Sequence, residues 1–322
     1  MLSSRCLEDI LLSAARRVGL GLTFVNALNC DICVVSADEL LGHRISNLSD
    51  ILHKISAPIV AFGLGTEGGI EQFSRKERSE LRKILKKMSL IGIRNHMTAA
   101  LIEELTNIKD YEIIGDPILS FKMANCAGLP AQGDIGVNVI QLPGPQQMED
   151  RIFQTVASCI VNLLDASTAL KSKCHVFCFD RDRPCNDETK TIRLLSNFLS
   201  LNSVEIHPHL QDVFLSFSRL KNLDVFISMR TNPALLAAAN GTIPIVLEHR
   251  GTRGQEIMDL IDCSDLVLSP YDINDQILLD TIVTTKQTWG KRHMKIKDLI
   301  SHWQDKQEAF AHKVFQTLFH SD

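Results

Sequence analysis

Short apolar runs alternate along this chain with longer segments in which apolar residues recur every three or four positions. The runs lack the strict apolar–polar alternation of a half-exposed strand, and helical segments separate them. That pattern is typical of a parallel sheet covered on both faces by helices. In the first half it predicts helices over residues 7–18, 74–88 and 98–105, and strands over residues 22–25, 32–35, 58–63, 90–93 and 111–114.

The second half repeats the pattern after CAGLPAQGD (residues 126–134), a stretch of small and turn residues that we interpret as a linker. We predict two Rossmann-like domains, residues 1–125 and 134–295, facing a central cleft, and a C-terminal helix over residues 296–322. In such sheets ligands bind beyond the carboxyl ends of the strands. The second-half strands are predicted at residues 135–140, 175–179, 204–206, 224–228 and 243–247, with helices at 150–164, 187–199, a segment ending at 220, and 233–239.

Length and charge narrow the class of protein. A chain of 322 residues is about twice the common domain length, which agrees with two domains. The net charge of −4 argues against a general nucleic-acid binder, because binding to the phosphate backbone normally requires a strongly basic domain. The N-terminus lacks the apolar core of a signal peptide and no long apolar run follows, so we expect a cytoplasmic protein.

The nine cysteines do not form the pattern of a secreted disulfide framework, and we expect reduced thiols. Cys30 and Cys33 have the spacing of a metal or redox pair, but in a strand their side chains point to opposite faces, which favours buried thiols. Cys174 and Cys178 flank His175, yet no second pair at zinc spacing follows. We therefore predict no metal and no cofactor.

Two arginines occupy matching places, each at the end of a predicted strand and immediately before a helix. Arg94 lies in LIGIRNHMTA and Arg230 in VFISMRTNPA. An arginine beside the free N–H groups of a helix can hold a phosphate or carboxylate by charge-assisted hydrogen bonds. The alternative is an ion pair with a nearby carboxylate. Because both arginines have the same setting, we favour an anionic substrate.

Other strand ends carry further candidates for substrate binding. Asp116, in Gly-Asp-Pro, can orient a substrate hydroxyl or an arginine, although Asp before Pro is also common in plain turns. Gly63 and Gly65 begin the stretch GLGTEGG, which can bring backbone N–H groups close to a ligand or form a flexible loop. It is not a phosphate-binding loop of the Walker type, because no Gly-Lys-Ser/Thr follows.

Several segments, in their order along the chain, resemble the polysaccharide pyruvyl transferases across roughly residues 50–260. They are PIVAFGLGTEGG, LIGIRNHMTAALIEEL, EIIGDPIL, IGVNVI and DVFISMRTNPALLAAANGTIPIVL. The resemblance implies a glycosyltransferase-B-like pair of Rossmann-like domains. It also implies transfer of a pyruvyl group from phosphoenolpyruvate to a sugar of a cell-surface polysaccharide or its lipid-linked precursor, forming a ketal.

The resemblance carries over to particular residues. Arg94 matches the donor-binding arginine of the family, and Arg230 opens the motif that reads Arg-x-His in the family. The proposed general acid of that motif is replaced here by Asn232. An amide has no proton that ionises near neutral pH. Asn232 before Pro233 is also typical of a helix N-cap followed by the first helical residue, and we favour that interpretation over catalysis.

The chain departs from the family elsewhere as well. Family members usually open with a strand and an Asn-x-Gly-Asp turn, whereas this sequence begins with a predicted helix. His249 and Arg253 occupy the stretch where the family tends to carry a lysine, which keeps a positive lining. His249 and His96 are candidates for a substitute acid, with surface histidines as the alternative. His207 and His209 are predicted to lie in a surface loop.

The expected partners are phosphoenolpyruvate and a sugar acceptor, which a lipid carrier can hold at the inner face of the membrane. The charged helix over residues 74–87 and the basic stretch over residues 286–297 suggest peripheral contact with an anionic leaflet, although a solvated helix face is the favoured alternative. Two other functions stay open. They are a sugar-nucleotide-dependent glycosyltransferase, and a non-catalytic relative that acts as a binding protein.

Overall fold

The computed structural model describes residues 31–36, 52, 55–66, 71, 73–121, 133–139, 146–166, 173–179, 204–207, 219–220, 223–248 and 253–319. For residues 146–150, 163–166 and 253 it describes the backbone alone. The elements predicted at residues 7–18, 22–25 and 187–199 lie outside these ranges. Packing divides the chain into two units, which are Met1–Pro117 with Lys306–Asp322, and Ile118–Asp305.

The first unit contains a four-stranded parallel sheet in the order β1-β2-β3-β4. Helices α1 and α2 follow β2 and β3, as the alternation of apolar runs and helical segments predicts. The strands are β1 Cys33–Val35, β2 Ile59–Leu64, β3 Met88–Ile93 and β4 Glu112–Ile113, and the helices are α1 Arg75–Lys87 and α2 His96–Thr106.

A capping box defines the start of α1. The Ser74 hydroxyl accepts a hydrogen bond from the Glu77 N–H at 3.3 Å, and the Glu77 carboxylate accepts one from the Ser74 N–H at 2.8 Å. These two bonds satisfy N–H groups that have no partner within the helix. The helix buries Leu81, Ile84 and Leu85 against the sheet, which explains its apolar face.

The second unit contains a six-stranded parallel sheet in the order β10-β9-β8-β5-β6-β7. Both sheets are thus parallel and helix-connected, which confirms the predicted Rossmann-like fold class. The sequence pattern missed β10, α5 and α6. The strands are β5 Ile135–Asn138, β6 Cys174–Phe177, β7 Val204–His207, β8 Val225–Ser228, β9 Ile243–Leu247 and β10 Val267–Leu268, and the helices are α3 Gln146–Ala166, α4 Thr231–Ala239, α5 Arg253–Asp259 and α6 Asp275–Gln287.

The last helix, α7, spans Trp289–Phe319 and contains the boundary between the two units. Residues 306–322 group with the first unit because Phe310 is 1% exposed and packs with Phe62, Leu90 and Ile114. The phenyl rings of Phe62 and Phe310 have their centroids 5.8 Å apart. The C-terminal helix therefore starts earlier than residue 296, and its last third completes the core of the first unit.

Two sequence-based expectations about residues of the second unit have different outcomes. His207 is the last residue of β7 and is 5% exposed, so its placement in a surface loop is wrong. Cys174 and Cys178 are buried and neither forms a disulfide, as expected of reduced thiols. Burial raises the pKa of Cys174 to about 12, which keeps the thiol protonated and unreactive near neutral pH.

No helix in the described ranges combines the length and the apolar character needed to cross a bilayer.

Candidate functional site

Arg94 follows the last residue of β3 and lies directly before the start of α2. Its backbone N–H donates to the Leu64 carbonyl at 3.0 Å and thereby extends the pairing of β2 with β3. The residue is 7% exposed, which is unusual for arginine. A charge at this depth requires specific polar partners.

Two neighbouring strand ends provide these partners. Nε of Arg94 donates to the Gly63 carbonyl at 2.8 Å, and Nη1 lies 3.0 Å from Oδ2 of Asp116. Asp116 is fully buried. Contacts on Nε and Nη1 together fix the plane of the guanidinium group. The structure therefore brings together three of the predicted site residues, and it contains the ion pair that the sequence allowed as an alternative.

Gly63 and Gly65 form the wall against which Arg94 packs. A Cβ atom at Gly65 would lie 3.0 Å from Cδ of Arg94, and one at Gly63 would overlap the ring of Pro117. Gly63 also has a φ angle of +70°, in the left-handed region that favours glycine. Gly63 lies within β2, and Gly65 follows its last residue. Residues 67–70 of the glycine-rich stretch lie outside the described residues.

Gln307 is a site residue that the sequence analysis missed. Its side-chain amide, which extends from α7, donates to the carbonyls of Ile114 at 3.0 Å and Asp116 at 2.9 Å. Gln307 is 2% exposed. The amide thus holds the backbone of the turn that carries Asp116. A lone glutamine in a helix gives no sequence signal for a contact with a turn so distant in the chain.

The start of α2 lies beside Arg94 in the chain. The side chain of Asn95 caps this helix, because its Oδ1 accepts hydrogen bonds from the Thr98 N–H at 3.0 Å and from the Thr98 hydroxyl at 2.8 Å. His96, a candidate acid, is the first residue of the helix and is exposed. Arg94 thus adjoins a helix N-terminus, where backbone dipoles favour an anion.

Arg230 has the corresponding place in the second unit, between β8 and α4. Its backbone is held by the Ser228 hydroxyl, which accepts from the Arg230 N–H at 3.0 Å and donates to the Arg230 carbonyl at 2.8 Å. Nδ2 of the buried Asn138 donates to the Phe177 carbonyl at 3.0 Å and ties the end of β5 to β6. Arg230 is half-buried.

The interpretation of Asn232 as a helix N-cap is wrong. Helix α4 begins at Thr231 with Arg230 at the N-cap position and without a side-chain cap, so Asn232 is the second helical residue and is exposed. The two Ser228 bonds to Arg230 determine where the chain turns into the helix. Pro233 is tolerated in the first turn because N–H groups there have no partner within the helix.

The starts of α4 and α5 adjoin each other in the second unit. A Cβ atom at Gly254 would overlap the carboxylate of Glu248 and lie 3.3 Å from Cγ2 of Thr231. His249 and the side chain of Arg253 lie outside the described residues. Burial, and then the charge of Asp259, raises the pKa of Glu256 in the first turn of α5 to about 7. This carboxyl group was missed by the sequence analysis, since its environment cannot be read from composition.

The basic side chains of α1 bear on the expected membrane contact. Nε of Arg78 donates to the Phe73 carbonyl at 2.9 Å, and Nζ of Lys87 donates to the Leu52 carbonyl at 2.6 Å. Nε of Arg82 donates to the Leu105 carbonyl at 2.5 Å. Three basic side chains of α1 thus bind backbone carbonyls of the first unit, and contact of this helix with a membrane stays a prediction.

Two parallel, helix-connected Rossmann-like sheets, with polar residues at the carboxyl ends of their strands, define a protein of the glycosyltransferase-B class of folds. Residues 11–250 match the family model described as polysaccharide pyruvyl transferase. The chain therefore belongs to the polysaccharide pyruvyl transferase family, as the sequence resemblance predicted. No curated protein matches the chain.

Several solved structures are similar in fold. A putative UDP-N-acetylglucosamine 2-epimerase from Listeria monocytogenes aligns with a TM-score of 0.61 at 10% identity, over 98% of this chain and 80% of that chain. S. aureus MnaA in a co-structure with UDP aligns with a TM-score of 0.58 at 11% identity, over 98% and 81%. A UDP-forming trehalose-phosphate synthase from Burkholderia xenovorans aligns with a TM-score of 0.52 at 12% identity, over 98% and 78%. At these identities the similarity shows the fold alone.

Proposed function

We propose that this protein transfers a pyruvyl group from phosphoenolpyruvate to two hydroxyl groups of a sugar, which belongs to a cell-surface polysaccharide or to its lipid-linked precursor. Family membership supports this reaction type. The observation that carries the proposal is the buried, oriented guanidinium of Arg94 at the end of β3 and beside the start of α2. Such a group suits a donor that brings both a phosphate and a carboxylate.

The reaction requires one proton to be delivered to the donor. The methylene carbon of phosphoenolpyruvate accepts this proton and becomes a methyl group, while a sugar hydroxyl adds to the neighbouring carbon and loses its own proton. A second hydroxyl then displaces phosphate from that carbon and loses its proton to the leaving phosphate. The products are a pyruvate ketal and hydrogen phosphate.

Arg94 is proposed to bind the anionic donor, with Asp116 and the Gly63 carbonyl holding the guanidinium in its orientation. A guanidinium that is fixed before binding loses less conformational freedom when it contacts an anion. Arg230, with its backbone held by Ser228, is proposed to add a second positive charge. His249 and Arg253 stay predicted members of the site.

The donor proton needs an acid whose pKa lies near neutrality. Asn232 cannot supply it, but Glu256 has a pKa raised to about 7 and lies in the first turn of α5, in which Gly254 adjoins Thr231 at the start of α4. We assign this role to Glu256. With Glu256 as the acid, the chain is an active enzyme with a relocated acid rather than a relative that has lost catalysis.

Phosphate release tests the proposed reaction. We expect the wild-type protein to release phosphate from phosphoenolpyruvate when a suitable sugar acceptor is present, and Glu256→Gln to lower that rate by at least about a hundredfold, the usual contribution of a positioned general acid. Asn232→His restores the family motif and is expected to raise the rate. Exchange of the exposed Glu308 to Gln is the matched control and should change nothing.

Inactivity of both the wild type and Asn232→His, with varied acceptors, would contradict the catalytic proposal and favour a non-catalytic binding protein. An unchanged rate in Glu256→Gln would instead contradict only the assignment of the acid.

A sugar-nucleotide-dependent transferase is the second candidate function. The specific observation in its favour is the fold similarity to enzymes named for UDP substrates or products, and to a protein in a co-structure with UDP. This candidate needs a binding surface for a nucleotide, whereas the pyruvyl transferase proposal needs a binding site for a small trianion. The two donors can therefore be compared directly in one binding experiment.

A further inference from the structure

Two histidines and a glutamate converge at the edge of the second sheet formed by β6 and β7. His175 and Glu205 are register partners, and His207 lies two residues further along β7. The alternation of side chains along strands places all three on one face of the sheet. Among the residues that the structure describes, these three form a group whose nitrogen and oxygen atoms all lie within 4.8 Å of one another.

The distances within this group approach those of a metal coordination sphere. Nδ1 of His175 lies 2.9 Å from Nε2 of His207. Glu205 places one carboxylate oxygen 3.8 Å from the His175 nitrogen and the other 3.7 Å from the His207 nitrogen. A tetrahedral zinc ion with bonds of about 2.0–2.1 Å separates its ligand atoms by about 3.3–3.5 Å. The two nitrogens lie about half an ångström closer together than this, and each nitrogen lies within about half an ångström of this distance from one of the carboxylate oxygens.

Asp134 orients the first of the two histidines. Nε2 of His175 lies 3.2 Å from Oδ2 of Asp134, whose other oxygen accepts the Lys173 N–H at 2.7 Å. A carboxylate at this place keeps the imidazole proton on Nε2, so that Nδ1 presents its lone pair to His207 and Glu205. In metalloproteins, a histidine that binds a metal through one ring nitrogen frequently donates the N–H of the other to a carboxylate.

Burial and packing limit the motion of the imidazole rings. The side chains of His175 and His207 are 14% and 7% exposed, whereas the Glu205 side chain is 50% exposed. The ring of His207 stacks on Phe177 with centroids 4.6 Å apart. Two ordered nitrogen ligands below one solvent-accessible carboxylate leave an entry path for an ion from solution.

When no metal is bound, Arg219 determines which ring nitrogen of His207 carries the proton. Its Nη1 lies 2.9 Å from Nδ1 of His207. Arginine can only donate, so Nδ1 accepts and the His207 proton is on Nε2, which donates to Nδ1 of His175. Binding of an ion moves this proton from Nε2 to Nδ1 and displaces the Arg219 guanidinium. No proton is gained or lost, and the two carboxylates of Asp134 and Glu205 offset the added charge.

We propose that His175, His207 and Glu205 form a binding site for a divalent transition metal of zinc-like chemistry, with Asp134 as the orienting residue and water in the fourth position. The cysteines of the same segment are not part of it, because Cys174 and Cys178 occupy the opposite face of β6 and its extension. Spacing along the chain does not reveal the site, since its ligands come from two strands that are far apart in sequence.

Metal titration of the full-length protein tests this site. After removal of bound metals, we expect the protein to bind one equivalent of Zn²⁺ in calorimetry. Co²⁺ is expected to give visible absorption bands without the near-ultraviolet charge-transfer band of a thiolate ligand. Glu205→Gln, a half-exposed change that should leave the fold intact, and Asp134→Asn are each expected to weaken binding by about 10–100-fold.

The matched control is His312→Ala, which removes an exposed histidine that also faces a glutamate, at 3.9 Å. It should leave binding unchanged. Absence of Zn²⁺ binding, binding that survives both Glu205→Gln and His207→Ala, or a thiolate band with Co²⁺ would each overturn the proposal. The outcome is independent of the proposed transferase reaction, which uses other residues.

Discussion

Arg94→Ala is expected to lower the free energy of unfolding by about 3–5 kcal/mol, because it breaks a buried ion pair. Asp116 is fully buried, and its Oδ2 lies 3.0 Å from Nη1 of Arg94. The same substitution also removes the hydrogen bond from Nε to the Gly63 carbonyl. Urea unfolding followed by circular dichroism measures the loss.

A second substitution separates the ion pair from general packing. Asp116→Asn in the Arg94→Ala background removes the other charge of the pair and should recover a large part of the lost stability. Arg292→Ala is the matched control, since its Asp265 partner is exposed, and it should cost at most about 1 kcal/mol. Equal effects of Arg94→Ala and Arg292→Ala would contradict the buried ion pair.

Gly63→Ala is expected to have the second largest effect on stability. A side chain at φ = +70° costs roughly 1–2 kcal/mol, and the overlap of the new Cβ with Pro117 costs roughly 1–3 kcal/mol more. Because Pro117 follows Asp116, relief of this overlap displaces the Arg94 partner as well. The expected result is a fall of about 2–5 kcal/mol in the free energy of unfolding, measured as for Arg94→Ala.

Gly290 offers a control for the glycine substitution. It lies in α7, and a Cβ atom there meets no atom within 4 Å. Gly290→Ala should therefore be neutral or stabilise the protein by up to about 1 kcal/mol. A Gly63→Ala protein as stable as Gly290→Ala would show that the strand end tolerates a side chain, and the close packing around Arg94 would be refuted.

Elements whose formation depends on residues close together in the chain could be predicted from the sequence. The apolar run predicted at residues 58–63 is strand β2, Ile59–Leu64, and the helix predicted from residue 74 is α1, which starts at the Ser74–Glu77 capping box. Arg94 and Asp116 were both recognised as strand-end residues. Their contact follows from the parallel register of β3 and β4, which brings the two strand ends together.

Features that depend on competing local interactions, or on contacts between residues far apart in the chain, could not be predicted from the sequence. Asn232 and Pro233 have the local preferences of a helix start, yet the Ser228 bonds to the Arg230 backbone place the start of α4 earlier. Gln307 donates hydrogen bonds to the carbonyls of Ile114 and Asp116, which are far from it in the sequence. The raised pKa of Glu256 results from burial, which only the folded chain produces.

Arg94 is the residue that we propose to bind the donor. Arg94→Lys retains a positive charge near Asp116 but loses the planar fork that can contact a phosphate or carboxylate through two nitrogens. Arg94→Lys therefore tests donor binding with less loss of stability than Arg94→Ala, which also removes the charge.

Thermal unfolding in the presence of phosphoenolpyruvate or UDP tests the central claim most directly. If phosphoenolpyruvate is the donor, a concentration of a hundred times its Kd stabilises the wild-type protein by about 2.7 kcal/mol. We predict a clear rise in Tm with phosphoenolpyruvate, little or none with UDP, and loss of the phosphoenolpyruvate effect in folded Arg94→Lys. A rise with UDP and none with millimolar phosphoenolpyruvate would contradict the account and support the sugar-nucleotide transferase instead.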